Sequence, residues 1–241
     1  MVIKFSNLHL KNQKFNMIYP IVKRSCDVFF ALFSIIILSP LLIPVIFILK
    51  FTGEGEIFYL QKRVGLQNKE FSIYKFATML KNSPNIGDGI YTSKGDPRIL
   101  PFGHFLRKSK INEIPQIFNI LFGNMSIVGP RPLILETFDF YDANTKSVLK
   151  MLKPGLSGIG SIIFRNEEFI LEKSIASKED FYRKNISPYK GMLELWYSEN
   201  ISFYTDLMII LLTIWVILFP ESDLHFKIFK DLPKRPLALV T

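Results

Sequence analysis

From Val28 to Leu49 the chain carries no charged residue. As an α-helix rising 1.5 Å per residue this run reaches about 33 Å, enough to cross the hydrocarbon core of a bilayer. The composition agrees with lipid contact. Hydrophobic residues make up 49% of 241 residues and Phe alone numbers 23, with a positive mean hydropathy, more apolar than a soluble domain of ordinary surface. A signal peptide fits poorly, because the run is longer than a usual apolar core and no small-residue cleavage site follows it.

Two features bear on how the run meets the membrane. Pro40 and Pro44 lie in its middle, and each lacks an amide donor and crowds the carbonyl four residues earlier, which bends a helix. Lys23 and Arg24 precede the run while Lys50, Lys62 and Arg63 follow it, so the preference of basic flanks for the cytoplasm places both ends on one side. A kinked, re-entrant helix satisfies both, although prolines also occur in spanning helices and both readings stay open at this point. The Ser39 hydroxyl beside Pro40 is suited to bond a carbonyl that the kink frees.

The formal charge of +9 fits anionic lipid, nucleic acid or a phosphate-bearing substrate. No helix-turn-helix, zinc-finger or RNA-binding signature accompanies the scattered basic residues, so nucleic acid is not expected as a partner. The single cysteine, Cys26, excludes an intrachain disulfide and agrees with a reducing cytoplasmic side.

Between Phe51 and Glu199 polar and apolar residues mix normally, with turn signals at Gly53, Gly55, Gly87 to Gly89, Gly95 to Pro97 and Gly123 to Pro132. Phe58 to Gln61 and Phe71 to Phe76 read as short strands, and most of the remainder as helices. A helix is expected to open near Asn112, because Ile114, Ile117, Phe118 and Leu121 share one face, Pro115 falls in the first turn and Gly123 stops it. Asn112 would be its N-cap, with Glu113 beside it where the exposed amides favour a phosphate. Downstream, Arg131 stands between Pro130 and Pro132, whose fixed φ angles suit a preorganised phosphate clamp. A second apolar stretch, Leu207 to Phe219, reads as an interfacial helix, a core helix, or a short crossing that must accommodate Asp206.

The ordered motifs KRSCDVFF, LSPLLIPV, FYLQKRVG, FSIYKFATM, GDPRI, FLRKSKINEIPQIFNILFGNMSIVGPRP and LKPGLSG, with the stretch around Tyr204 and Asp206, resemble the bacterial sugar transferases, monotopic phosphoglycosyl transferases acting on polyprenyl phosphate. The resemblance runs from about Lys23 to near Leu218. It implies an α-rich α+β membrane-associated domain: a re-entrant, kinked membrane helix broken at Ser39 and Pro40, a cytosolic catalytic domain, and amphipathic helices at the membrane surface. The corresponding divisions are an N-terminal arm at 1–19, the membrane helix at 20–50, the catalytic domain at 51–200, and a membrane-surface helix with a tail at 201–241. The implied place is the bacterial inner membrane, with the catalytic domain on its cytoplasmic face.

The implied chemistry is a double displacement, in which an aspartate attacks the β-phosphate of a UDP-sugar, releases UMP, and passes the sugar phosphate to polyprenyl phosphate such as undecaprenyl phosphate. Glu113 matches the glutamate that holds magnesium, and Lys75, Arg107 and Arg131 match basic residues around the phosphates. Asp96 and Arg98 would shape the neighbouring loop. Membrane lipid is a further partner, and a homodimer or docking of downstream glycosyltransferases are the protein partners it brings into view.

Two positions depart from the family pattern. Asn112 stands where the pattern has aspartate and Ala77 where it has arginine. A neutral amide forms no acyl phosphate, so the reading divides three ways: Glu113 or another carboxylate as nucleophile, direct attack by the lipid phosphate with Asn112 orienting, or a catalytically impaired membrane scaffold. Gly155 to Glu168 departs from the common family wording and is the stretch from which sugar or partner preference is expected.

Overall fold

The computed structural model describes residues 18–86, 92, 95–172 and 177–239. The turn signal at Gly87 to Gly89 and most of the N-terminal arm therefore lie outside the described residues.

Helix α1 (Ile18–Phe51) is one element of 34 residues, with both prolines inside it. The Ser–Pro step does not end the helix. Pro40 deprives the Ile36 carbonyl of its amide donor, and the Ser39 hydroxyl donates to that same carbonyl at 2.8 Å, so the loss is repaired locally. Asp27, Ala31, Val45 and Leu49 are buried and recur on one face, whereas Phe33, Ile36, Ile37, Leu41, Ile43 and Phe47 are exposed. One stripe thus packs on protein and the opposite face is apolar and unpartnered, among the described residues.

The stripe is held at several points. Arg24 donates to the Ile120 and Leu121 carbonyls at 2.6 and 2.8 Å, satisfying the last turn of a facing helix. Asp27 accepts from the Ile127 amide at 2.9 Å and the Ser126 hydroxyl at 3.1 Å. Further along, Ala31 joins a cluster with Ile73, Ile117 and Ile120, while Val45 and Leu49 join another with Phe76 and Leu106.

After α1 come an antiparallel hairpin, β1 (Phe58–Val64) and β2 (Glu70–Phe76), then α2 (Pro101–Lys108), a 3-10 turn at Ile111–Glu113, α3 (Gln116–Phe122) and β3 (Ser126–Val128). Short helices α4 (Leu135–Phe138) and α5 (Ala143–Leu149) lead to β4 (Gly155–Ser157), which pairs parallel with β3. Then follow α6 (Ile159–Ile163), α7 (Glu167–Glu172), α8 (Lys178–Phe181), a π-helical turn at Tyr182–Ile186, α9 (Ser187–Glu199), α10 (Phe203–Leu218) and α11 (Leu224–Ile228). The main core gathers Ile159, Tyr189, Leu193, Ile209 and Leu212, each nearly or fully buried, and Phe229, Leu232 and Leu239 of the tail pack into it. The tail, whose fold the sequence left open, is thus part of the core.

The α-rich α+β expectation agrees with these elements, and both predicted strands are present and longer than expected. The helix expected at Asn112 is displaced. Asn112 lies inside the 3-10 turn rather than at an N-cap, and α3 begins only after Pro115. The cause is a left-handed Lys110 (φ 60°) that turns the chain into one tight turn, after which Pro115, lacking an amide, restarts the ladder. Gly123 ends α3 as expected, at φ 89°, a conformation that glycine adopts without strain.

Candidate active site

Antiparallel pairing sets Tyr59 opposite Lys75, Gln61 opposite Ile73 and Arg63 opposite Phe71. Side chains alternate faces along a strand, so Lys75 and Arg63 share one face of the hairpin. That hairpin is fastened to α3 by the fully buried Asn119, whose side chain accepts from the Tyr74 amide at 2.9 Å and donates to the Ser72 carbonyl at 2.7 Å. The adjoining 3-10 turn thereby brings Glu113 up to Lys75.

Glu113 Oε1 lies 3.4 Å from Lys75 Nζ and 3.2 Å from Arg131 Nη2. Burial pushes the Glu113 carboxyl up, but Lys75, Arg131 and Lys110 outweigh it and leave the group well below the ordinary carboxylate range. Burial pushes the Lys75 ammonium down to about 8, with Glu113 opposing and Arg63 and Arg131 adding to the fall. Arg131 is raised, chiefly by Glu113. One carboxylate therefore faces three cations, Lys75, Arg131 and Arg63, in a partly buried site. The excess positive charge is what a phosphate group would balance.

Arg63 was not among the expected site residues. Burial and the Arg131 charge push it down to about 10, its Nη1 donates to the Pro132 carbonyl at 3.3 Å, and its Nε is buried without a partner. The signal was available: Arg63 lies in FYLQKRVG, and the two-residue period of a strand puts it on the face of Lys75. Lys110 was missed as well, since a left-handed lysine has no sequence signature.

Asn112 is buried, and its Oδ1 has no hydrogen-bond partner in the protein. An orphaned buried oxygen is uncommon and calls for a ligand or ion. It adjoins Glu113 in sequence, so the turn offers a carboxylate and an amide oxygen together. Among the described residues no group of three or more His, Cys, Asp and Glu side chains could enclose a metal.

Arg107 sits at the end of α2 in a neighbouring group. Its Nη1 lies 3.8 Å from Met79 Sδ, and its charge helps lower Asp96. Asp96 itself is held at about 2, chiefly by its bond with Arg98. Arg98 and Asp96 are both buried and paired at 2.5 Å, and Arg98 Nη1 also donates to the Ser83 and Ile86 carbonyls at 2.8 Å. The pair thereby ties the Asp96–Arg98 turn to the Ser83 and Ile86 backbone. The buried Ala77 amide donates to the Ile57 carbonyl at 3.0 Å.

A family model described as bacterial sugar transferase matches residues 18–220 of the chain. The chain is 32% identical over 222 residues to a UDP-N-acetylgalactosamine-undecaprenyl-phosphate N-acetylgalactosaminephosphotransferase of Aeromonas hydrophila, covering 90% of this chain and 49% of that protein. It is 34% identical over 208 residues to the exopolysaccharide production protein ExoY of Sinorhizobium fredii, covering 80% and 84%. An undecaprenyl-phosphate galactose phosphotransferase of Salmonella typhimurium is 32% identical over 212 residues, covering 82% and 40%. The chain thus spans about half the length of the Aeromonas relative and most of the Sinorhizobium one.

Proposed function

The chain belongs to the bacterial sugar transferase family, and on that premise we propose that it moves a sugar 1-phosphate from a UDP-sugar to a polyprenyl phosphate such as undecaprenyl phosphate. The observation that carries this reading is the cation group around Glu113: Lys75 and Arg131 within 3.4 and 3.2 Å of one carboxylate oxygen, with Arg63 on the same hairpin face. A phosphoryl group in transfer spreads negative charge over its oxygens, and positioned cations stabilise it best where little water competes.

The residues favour direct transfer. An acceptor phosphate oxygen attacks the β-phosphorus of the donor, forming the new P–O–P linkage; the bond from that phosphorus to the bridging oxygen breaks, and UMP leaves. Asn112 has no carboxylate to offer, and Glu113, ionised and engaged by two cations, is a weak nucleophile. Lys75 and Arg131 hold the equatorial oxygens, and Arg63 backs them from the hairpin.

The donor set fits a magnesium ion brought in by the diphosphate, with Glu113 and the unpartnered Asn112 Oδ1 as hard oxygen ligands. When bound, the ion offsets the charge of the phosphates.

The membrane arrangement belongs to the same proposal: a re-entrant α1, with the outer faces of α1 and α10 in the cytoplasmic leaflet. Supporting it, Ala31 packs with Ile73 and Val45 packs with Phe76, so both halves of α1 rest on one strand. At its N-terminal end, Tyr19 and Lys23 bond Asp206 of α10.

UMP release from a panel of UDP-sugars, measured with magnesium, tests the reading. Direct transfer requires release to depend on polyprenyl phosphate, whereas a covalent intermediate gives a stoichiometric burst without lipid. Asn112→Asp is expected to introduce that burst. Protein that binds UDP-sugar but never releases UMP would establish the second reading, a membrane-bound scaffold, which Asn112 favours.

A further inference from the structure

We propose that Gln61 is a positioning residue for the Arg131 clamp: it holds the Arg63 guanidinium against the Pro132 carbonyl, and Arg63 so held fixes the Pro130–Arg131–Pro132 turn from the hairpin side. The proposal rests on the donor-binding role given to Arg131 above. Gln61 and Arg63 are two residues apart on β1, so their side chains leave the same face of the strand. Gln61 Oε1 accepts from Arg63 Nη2 at 2.5 Å in a partly buried bond, and Arg63 Nη1 donates to the Pro132 carbonyl at 3.3 Å. One residue further along β1, the Val64 amide donates to the Leu133 carbonyl at 2.8 Å. The end of β1 therefore takes two successive carbonyls at the exit of the turn, one by a side chain and one by its backbone.

The entry of the turn is seated on the LKPGLSG segment. The Gly155 amide donates to the Pro130 carbonyl at 2.8 Å, and the Gly129 amide donates to the Ser157 carbonyl at 2.9 Å. The backbones approach so closely that a Cβ on Gly155 would stand 2.1 Å from the Gly129 nitrogen, and one on Gly158 2.3 Å from the Gly129 oxygen. With the entry fixed in this way, the place of Arg131 is set by what β1 does at the exit. Arg63 shares its hairpin face with a second cation, Lys75, and like charges brought together in a partly buried site repel. An acceptor must therefore hold the Arg63 guanidinium in place, and a neutral one does so without cancelling the positive charge that a phosphate needs. Glutamine meets both requirements, whereas glutamate would hold the guanidinium and cancel its charge.

The test uses the full chain in nanodiscs, comparing wild type, Gln61→Leu, Gln61→Glu, Arg131→Ala and the double variant that combines Gln61→Leu with Arg131→Ala. Three readouts are taken: hydrogen exchange at the Val64 amide without ligand, affinity for UDP, and melting temperature to establish that each variant is folded. Gln61→Leu should exchange faster at Val64 and bind UDP roughly tenfold more weakly, the loss expected of one hydrogen bond. Gln61→Glu keeps the acceptor, so its exchange should stay at the wild-type rate while its added negative charge weakens UDP binding. In the Arg131→Ala background, Gln61→Leu should change UDP affinity by less than about twofold, because a residue acting through Arg131 has nothing left to position. Unchanged exchange or unchanged affinity in folded Gln61→Leu overturns the proposal. So does Gln61→Glu exchanging as fast as Gln61→Leu, or a loss that persists in full without Arg131. If wild type does not bind UDP, the donor reading fails, and exchange at Val64 alone decides whether Gln61 holds the turn.

Discussion

At Lys75 two influences oppose each other: burial drives the ammonium down to about 8, while Glu113 supports its charge. A cation that must grip phosphate loses that grip when it loses its proton. Donor affinity should therefore hold below pH 8 and fall as pH rises through that value. Lys75→Arg should abolish the fall, since a guanidinium stays charged. Glu113→Gln removes the carboxylate that supports Lys75, so the alkaline limit should move to lower pH. Calorimetric titration of UDP-sugar between pH 6 and about 9, within reach of the shifted lysine, checks both, and a profile flat to pH 9 in wild type would remove Lys75 from the phosphate site. Much of this group was legible in the sequence. Lys75, Glu113 and Arg131 stand in motifs whose order carries the family, and the structure brings them together. Arg63 was legible only through the strand period, and Lys110 not at all, because a left-handed turn leaves no local pattern.

At the scale of elements, the site depends on how the hairpin meets α3. Asn119 is the fastening, with two bonds to the backbone of β2. Asn119→Leu leaves the part-buried Tyr74 amide and Ser72 carbonyl without their partner, at a cost of about 1–3 kcal/mol. Beyond the lower melting temperature, the variant should lose donor affinity, because Lys75 rides on β2 and Glu113 on the 3-10 turn that leads into α3. A drop in melting with affinity intact would show that the site is held by other contacts. Sequence periodicity found β1, β2 and the end of α3 at Gly123, since each has a local cause. It placed Asn112 at a helix start because Asn before Glu and Pro reads as a cap; the tight turn set by Lys110 overrode that preference. The parallel pair β3 and β4, three residues each, is too short to show a period, and it forms only because distant segments meet.

For the whole molecule, the question is how one long apolar helix and a polar site share a membrane. The 34 residues of α1 would run about 51 Å if straight, well beyond the roughly 30 Å of a hydrocarbon core. Yet its buried stripe touches the same domain along its length, from Lys23 and Arg24 through Ala31 to Val45 and Leu49. A spanning α1 would have to leave one of those clusters, exposing Ile73 and Ile117 or Phe76 and Leu106. The basic residues that mark the flanks in the sequence also have interior duties, since Lys23 pairs with Asp206 and Arg24 satisfies the end of α3. Both ends of α1 should therefore lie on the cytoplasmic side. Single cysteines at Lys11 and at Glu54, in a Cys26→Ser chain, test this with a membrane-impermeant thiol reagent applied to sealed upright and inverted vesicles. Labelling of both sites only in inverted vesicles is the expected result, with exposure of the opposite face of α1 to lipid rather than to the far aqueous phase. Labelling of the two sites from opposite sides would make α1 a crossing helix, and would require the contacts of either Ala31 or Val45 with the domain to be broken in the membrane.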